Sequence, residues 1–295
     1  MNTSVTQGCA RTGRSDILKP GAHLRLAILF LLFTLGLALA APALAAPPAV
    51  LSTGHLAQIA PGDFIFRVVD LTLAPGDAVV THKHGAGMTY AISGSHVLTL
   101  DGIATRLNPG QAGWIGDQAV HSHASDGTTA TRFLFMYLWP ASQKGAPMAP
   151  GFREAKVAFE SDNLTFANRQ AQDVVLADNT LATGQQAGVQ SYAGPTLLSI
   201  QSGTFSVKVG DSSRTMQTGE YVSVPAGTAV QYTASAAGNL LALSIVPAGQ
   251  PVSLPQASSP LESIAPFASL ALLALALLGV GWTIYRRRAQ PRRQP

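Results

Sequence analysis

The chain has 295 residues, of which only 12% are charged, and a formal net charge of +4. That length admits one large domain or two small ones. The cationic excess lies wholly in the two ends and leaves the middle net acidic, so it indicates no nucleic-acid surface.

Near the N-terminus, Arg11, Arg14, Lys19 and Arg25 precede the apolar run LAILFLLFTLGLALA (residues 26–40) and the small-residue stretch APALAAPP. Basic, apolar and small-residue segments in that order read as a secretory signal peptide over residues 1–45, with Ala43 and Ala45 placed for cleavage. A basic region this long also suits an uncleaved anchor. Cys9 is the one cysteine and would leave with the signal, so the exported part must be held by its core rather than by disulfides.

From residue 46 onward, short Val/Leu/Ile/Thr-rich stretches alternate with Gly, Pro, Asn and Asp, the pattern of an all-β sandwich or barrel. SHVLTLDGIATRL reads as a hairpin with Asp101 and Gly102 at its turn. VVDLTLAPGD and TRFLFMYLWP read as further strands, each ended by proline. The same order of features occurs twice: Gly76, Gly94 and Gly110 are answered by Gly184, Gly203 and Gly219 at nearly constant offset, with matching strand patterns between them. This implies a tandem duplication, with domain 1 over 50–142, a connector over 143–165 and domain 2 over 166–249.

A stalk over 250–263 follows, and its LPQAS lacks the Thr-Gly of a sortase signal. Residues 264–285 (IAPFASLALLALALLGVGWTIY) carry no charge and are long enough to cross a bilayer as a helix. Trp282 and Tyr285 suit an interface, and the tail over 286–295 holds five arginines. Such charge collects on the cytoplasmic side, which predicts a single-pass cell-membrane protein with its β domains extracytoplasmic.

Two of the seven histidines, His82 and His84, are one residue apart in VVTHKHGAGMTY, a spacing that puts both imidazoles on one face of a strand. Gly76, DAVVT and His82-Lys83-His84 resemble the first motif of the cupin superfamily, G-x5-H-x-H-x3/4-E-x6-G, closing at Gly94. Gly110, QAGWI and Gly116 through His121 resemble its second motif, G-x5-P-x-G-x2-H-x3-N, with His121 at the histidine. Gly116, Gln118 and Ser125 replace its usual proline, glycine and asparagine. The motif's glutamate falls on Gly87, Met88 or Thr89, none of them acidic. In the second repeat Gly219, EYVSV, Pro225 and Gly227 follow the second motif, but Gln190, Tyr192 and Val230 stand where the histidines would be.

The resemblance implies an all-β bicupin of two tandem jelly-roll barrels. It implies a divalent metal (Fe, Mn, Ni or Zn) in the first barrel on His82, His84 and His121, and none in the second. His123 lies two residues past His121 and could complete the site. His96 alternates with Leu98 and Leu100, which reads as a packed interior histidine ahead of a ligand. Tyr90 and Trp114 read as core or cavity-wall aromatics, and Thr89 could face the cavity. Two functions follow from this pattern. One is a metal-dependent enzyme of dioxygenase type acting on a small organic molecule. The other is a non-catalytic module for a small molecule or an envelope partner, with a structural or vestigial metal. Neither excludes a homo-oligomer.

Overall fold

The computed structural model describes residues 45–148 and 154–254. The signal peptide with Cys9, the transmembrane segment and the basic tail fall outside this range apart from Ala45. Among the described residues no helix is long and apolar enough to cross a membrane.

Strand β1 (Ala49–Leu56) is followed by eight strands of the first repeat: β2 (Phe64–Leu73), β3 (Ala78–His82), β4 (Gly87–Ser93), β5 (His96–Leu100), β6 (Ile103–Leu107), β7 (Ala112–Ile115), β8 (His121–Ser125) and β9 (Thr131–Pro140). After β10 (Ala155–Glu160) come the eight of the second repeat: β11 (Gln172–Leu181), β12 (Gln190–Tyr192), β13 (Thr196–Ile200), β14 (Thr204–Val209), β15 (Ser212–Gln217), β16 (Tyr221–Val224), β17 (Ala229–Ala236) and β18 (Gly238–Pro247). A short β19 (Ser253–Leu254) ends the described chain.

The eight strands of the first repeat form two sheets in the orders β2-β9-β4-β7 and β3-β8-β5-β6, and the eight of the second repeat this as β11-β18-β13-β16 and β12-β17-β14-β15. This double Greek-key order is a jelly roll, so the described residues hold two of them. The glycines that revealed the duplication have positive φ in matched pairs: 78° at both Gly76 and Gly184, 74° and 81° at Gly94 and Gly203, 87° and 85° at Gly110 and Gly219. The hairpin turn at Asp101 (φ 47°) and Gly102 (φ 82°) takes the left-handed pair that a two-residue connection requires.

Three apolar cores follow from the strand alternation. One fills the first barrel around Val69, Leu71, Leu98, Leu107 and Phe133, and another fills the second around Leu198, Phe205, Val207 and Tyr232. The third lies between the barrels, where Phe66, Val68, Met88, Tyr90, Leu134 and Met136 meet Val174, Leu176, Leu197, Leu241 and Leu243. The sheets that carry β9 and β18 are therefore buried on both faces, which is why those strands are apolar almost throughout.

The two repeats also exchange edge strands. β1, at the head of the first repeat in sequence, pairs antiparallel with β11 of the second barrel, from Ala49↔Asp178 to Leu56↔Gln172. β10, from the connector, pairs with β2 of the first barrel, from Ala155↔Leu71 to Glu160↔Arg67. In this position Leu51 and Leu56 of β1 reach the core between the barrels. Burying those leucines is the physical reason the sequence boundary and the sheet boundary differ.

Candidate metal centre

The first barrel gathers five histidines along and beside β8. β3 and β8 pair so that His82 lies directly opposite His121, and Val79 opposite His123. β5 lies on the other side of β8, with Leu100 opposite His121 and His96 opposite Ser125. His84 lies just past the end of β3 and is held there because its carbonyl accepts from the Gln118 amide at 2.9 Å. The ring centroids of His82 and His121 are 4.3 Å apart, and those of His84 and His121 are 4.4 Å apart.

Hydrogen bonds to the backbone fix the tautomers. The Nδ1 atoms of His82, His84 and His121 lie 2.8 Å from the carbonyl oxygens of Val80, Gly85 and Ala119 respectively. A carbonyl can only accept, so each Nδ1 carries the proton and each Nε2 keeps its lone pair. The Nε2 atoms of His84 and His121 then face each other at 3.0 Å. Burial lowers the pKa of His121 and holds that of His84 down to about 4, so neither supplies a proton to this contact near neutral pH. Two lone pairs at that distance repel unless a cation is shared between them. Imidazole nitrogens bound at right angles to one ion of zinc size stand about 2.9 Å apart, so the pair fits a shared divalent metal.

His82, His121 and His123 present nitrogens that all lie within 4.8 Å of one another. Proximity therefore selects His123 as the third ligand, whereas the tautomers select His84. The tautomer carries more weight, because Nδ1 of His123 is engaged at 2.9 Å by Nε2 of His96. His123 can turn an Nε2 lone pair to a metal only when its own Nδ1 donates to His96. The proton of His96 then moves to Nδ1, a buried atom with no hydrogen-bond partner. Burial keeps His96, at about 4, and His123 well below the usual imidazole range, so both are neutral. His96 also stacks on Phe133 at 4.0 Å and 9°. It is thus a packed interior histidine that bears on the site through His123.

The absent acidic ligand has a steric explanation. On β4, Gly87 lies opposite Tyr137 and Thr89 opposite Phe135, while Met88 turns to the core between the barrels. A Cβ at Gly87 would stand 2.5 Å from Cβ of Tyr137, 2.6 Å from the Met136 carbonyl oxygen and 2.8 Å from Cζ of Phe135. No side chain fits there. Thr89 is fully buried, and its hydroxyl has no hydrogen-bond partner. Of the aromatics singled out in sequence, Tyr90 packs between the barrels and Trp114 lies against Gly54 of β1, so neither lines the site.

A cavity of about 220 Å³ opens beside His82, His84 and His123. The motif comparison misses its remaining walls. Phe135, Tyr137 and Trp139 come from alternate positions of β9, and Arg67, Val69 and Leu71 from alternate positions of β2. The Phe-x-Phe-x-Tyr-x-Trp alternation of residues 133–139 was the available sequence signal. Arg67 is 1% exposed, donates to the Ala146 carbonyl, lies 4.8 Å over the Trp139 ring, and pairs with Glu160 at 3.4 Å. Pro147 and Met148 complete the lining.

The second barrel fills the equivalent space. Gln190 pairs with Val230 as His82 pairs with His121. The Gln190 amide donates to the Tyr192 hydroxyl at 3.1 Å and the Tyr232 hydroxyl at 2.8 Å, and Tyr232 donates to Asn179 at 2.6 Å. This closed hydrogen-bond chain offers no convergent lone pairs. β19 pairs with β12 along the open edge and seals it.

No protein-family model matches the sequence, and no curated protein matches it. Solved structures do match by backbone. AerE from Microcystis aeruginosa is 12% identical, with 69% of this chain and 99% of that chain covered and a TM-score of 0.46. The S161A mutant of Bacillus subtilis oxalate decarboxylase is 13% identical, with 72% and 80% covered and a TM-score of 0.48. A salicylate 1,2-dioxygenase from Pseudaminobacter salicylatoxidans is 13% identical, with 61% and 70% covered and a TM-score of 0.41. These neighbours are cupin proteins. At identities and TM-scores this low, function has to be read from the site itself.

Proposed function

We propose that the chain is a metal-dependent cupin enzyme, of dioxygenase or related type, acting on a small organic molecule in its first barrel. We further propose that it works outside the cytoplasmic membrane, exported by residues 1–45 and held by a helix over 264–285. One observation carries the metal reading: three histidines with backbone-locked Nδ1 protons, two of them turning bare Nε2 atoms on each other at 3.0 Å. His82, His84 and His121 would hold the ion, with His123 as a fourth ligand governed by His96. Bound there, a divalent ion would act as an electrophile toward a ligand oxygen.

The residues of this chain supply the rest. Burial keeps the imidazoles of His84 and His121 neutral and therefore ligating. The apolar lining excludes water, and Tyr137, pushed up to about 12 by burial, keeps its phenolic proton beside the site. The cavity favours an enzyme over a structural ion, because structural sites are closed and catalytic ones keep an open side.

The test is metal content of the full-length chain after anaerobic loading with Fe(II), Mn(II), Ni(II) or Zn(II). One ion per chain is expected for wild type, and almost none for His121→Ala. His84→Ala should lose more than His123→Ala. Wild type that retains no stoichiometric metal would sink the reading, and metal that resists exchange and admits no ligand would leave a structural role.

A further inference from the structure

The cavity also indicates what it takes. Its long wall is a run of rings, with Phe135 and Tyr137 stacked at 4.5 Å and 27°, and Tyr137 meeting Trp139 edge-on at 5.5 Å. His84 closes the run at the metal end, 4.3 Å from Phe135. Where an acidic ligand would stand, Phe135 and Tyr137 lie against the bare backbone of Gly87. An acidic ligand is thus exchanged for aromatic surface.

Charge narrows the occupant further. An all-histidine set leaves both positive charges of a divalent ion uncompensated, so the group that meets it should be an anionic oxygen. Deeper in, the buried cation among the described lining residues is Arg67, which pairs with Glu160 at 3.4 Å and donates to the Ala146 carbonyl, while its Nε and Nη1 have no hydrogen-bond partner. The other lining cation, Lys83, is exposed. A second anionic group on the ligand would therefore meet a buried pair of no net charge, and its desolvation would go largely uncompensated. The volume, about 220 Å³, falls below the usual range for drug-sized ligands. Tyr137 carries the one hydroxyl among the lining residues.

We propose, on the basis of the metal reading above, that the cavity selects a small, planar, unsaturated monoanion. Its anionic oxygen meets the metal and its flat body lies along Phe135 and Tyr137. Compact dianions such as short dicarboxylates are disfavoured.

Full-length protein loaded with Co(II) separates the two readings. Co(II) uptake is measured first, and the visible spectrum of the bound ion then reports ligand titrations. Tropolonate, a planar chelating monoanion, should bind about tenfold more tightly than malonate. Phe135→Leu should weaken tropolonate about tenfold while leaving the small, ring-free acetohydroxamate unchanged, which also shows that the variant is folded and loaded. Full Co(II) uptake with malonate binding as tightly as tropolonate, or with Phe135→Leu weakening both probes alike, would overturn this inference alone. Absence of Co(II) uptake would overturn the metal reading and this inference with it.

Discussion

Replacing Gly87 tests the link between the missing carboxylate and the aromatic wall. In Gly87→Ala the new methyl would approach Cβ of Tyr137 to 2.5 Å, the Met136 carbonyl oxygen to 2.6 Å and Cζ of Phe135 to 2.8 Å. Optimal carbon–carbon contact is about 3.5–4.0 Å, so each approach is short by roughly an ångström. Two of the three atoms are backbone or directly attached to it, in a strand hydrogen-bonded on both sides by β2 and β4. They cannot rotate away as a side-chain tip can. Overpacking of this kind costs about 1–3 kcal/mol. For a protein of this size that corresponds to a fall in Tm of about 3–10 °C, read by thermal denaturation followed by circular dichroism. Gly87→Glu should fall further and gain no metal affinity, because its carboxylate cannot enter the barrel. An alanine variant with unchanged Tm, or a glutamate variant that binds metal more tightly, would refute the steric account.

Metal-free protein should lose stability as pH falls from about 6.5 toward 4. The folded state holds His84 and His96 down to about 4 while unfolded imidazoles titrate near 6.5, so the unfolded chain binds more protons across that window; urea midpoints flat over this range would contradict it. Saturating Zn(II) should raise the stability of wild type by about 2.7 kcal/mol at a hundredfold excess over Kd and leave His121→Ala unmoved, measured as metal-dependent Tm. Arg67→Met strands Glu160 against the buried wall and should cost about 3–5 kcal/mol. Glu160→Gln in the same chain should recover part of that loss, and a double variant no more stable than the single one would show that the ion pair is not the cause. Gln190→Leu removes the donor shared by Tyr192 and Tyr232 and should lower stability by about 1–3 kcal/mol without changing metal content.

Several features of the fold were legible in the sequence because they are local. The recurring glycines mark backbone positions with positive φ, and the hairpin at Asp101-Gly102 is set by its own two turn residues. His82 and His84 stood out by their one-residue spacing, and His121 through the resemblance to the second cupin motif. That resemblance also set His84 ahead of His123, but the physical ground for the order was not legible, since it depends on which carbonyl meets each Nδ1 and on the contact of His96 with His123. Arg67 escaped notice because a lone charge in an apolar strand becomes informative only when Glu160, the Ala146 carbonyl and Trp139 are seen to converge on it. The exchange of β1 and β10 was hidden for the opposite reason. It is set by burial across the interface between barrels, and no periodicity within either strand records it.

That exchange has a consequence for how such a chain can evolve. After a duplication, one copy can keep its ligands while the other drifts, and a copy with no chemistry is ordinarily free to be deleted. Here the copy carrying Gln190, Tyr192 and Val230 is bound into its sibling's architecture: its inner sheet ends on a strand from the head of the first repeat, and it covers Phe66, Val68, Leu134 and Met136 of the histidine-bearing barrel. Losing it would expose the back of the strand that carries the aromatic wall. The second barrel therefore supports the histidine-bearing one, and a change that unfolds it should disturb both.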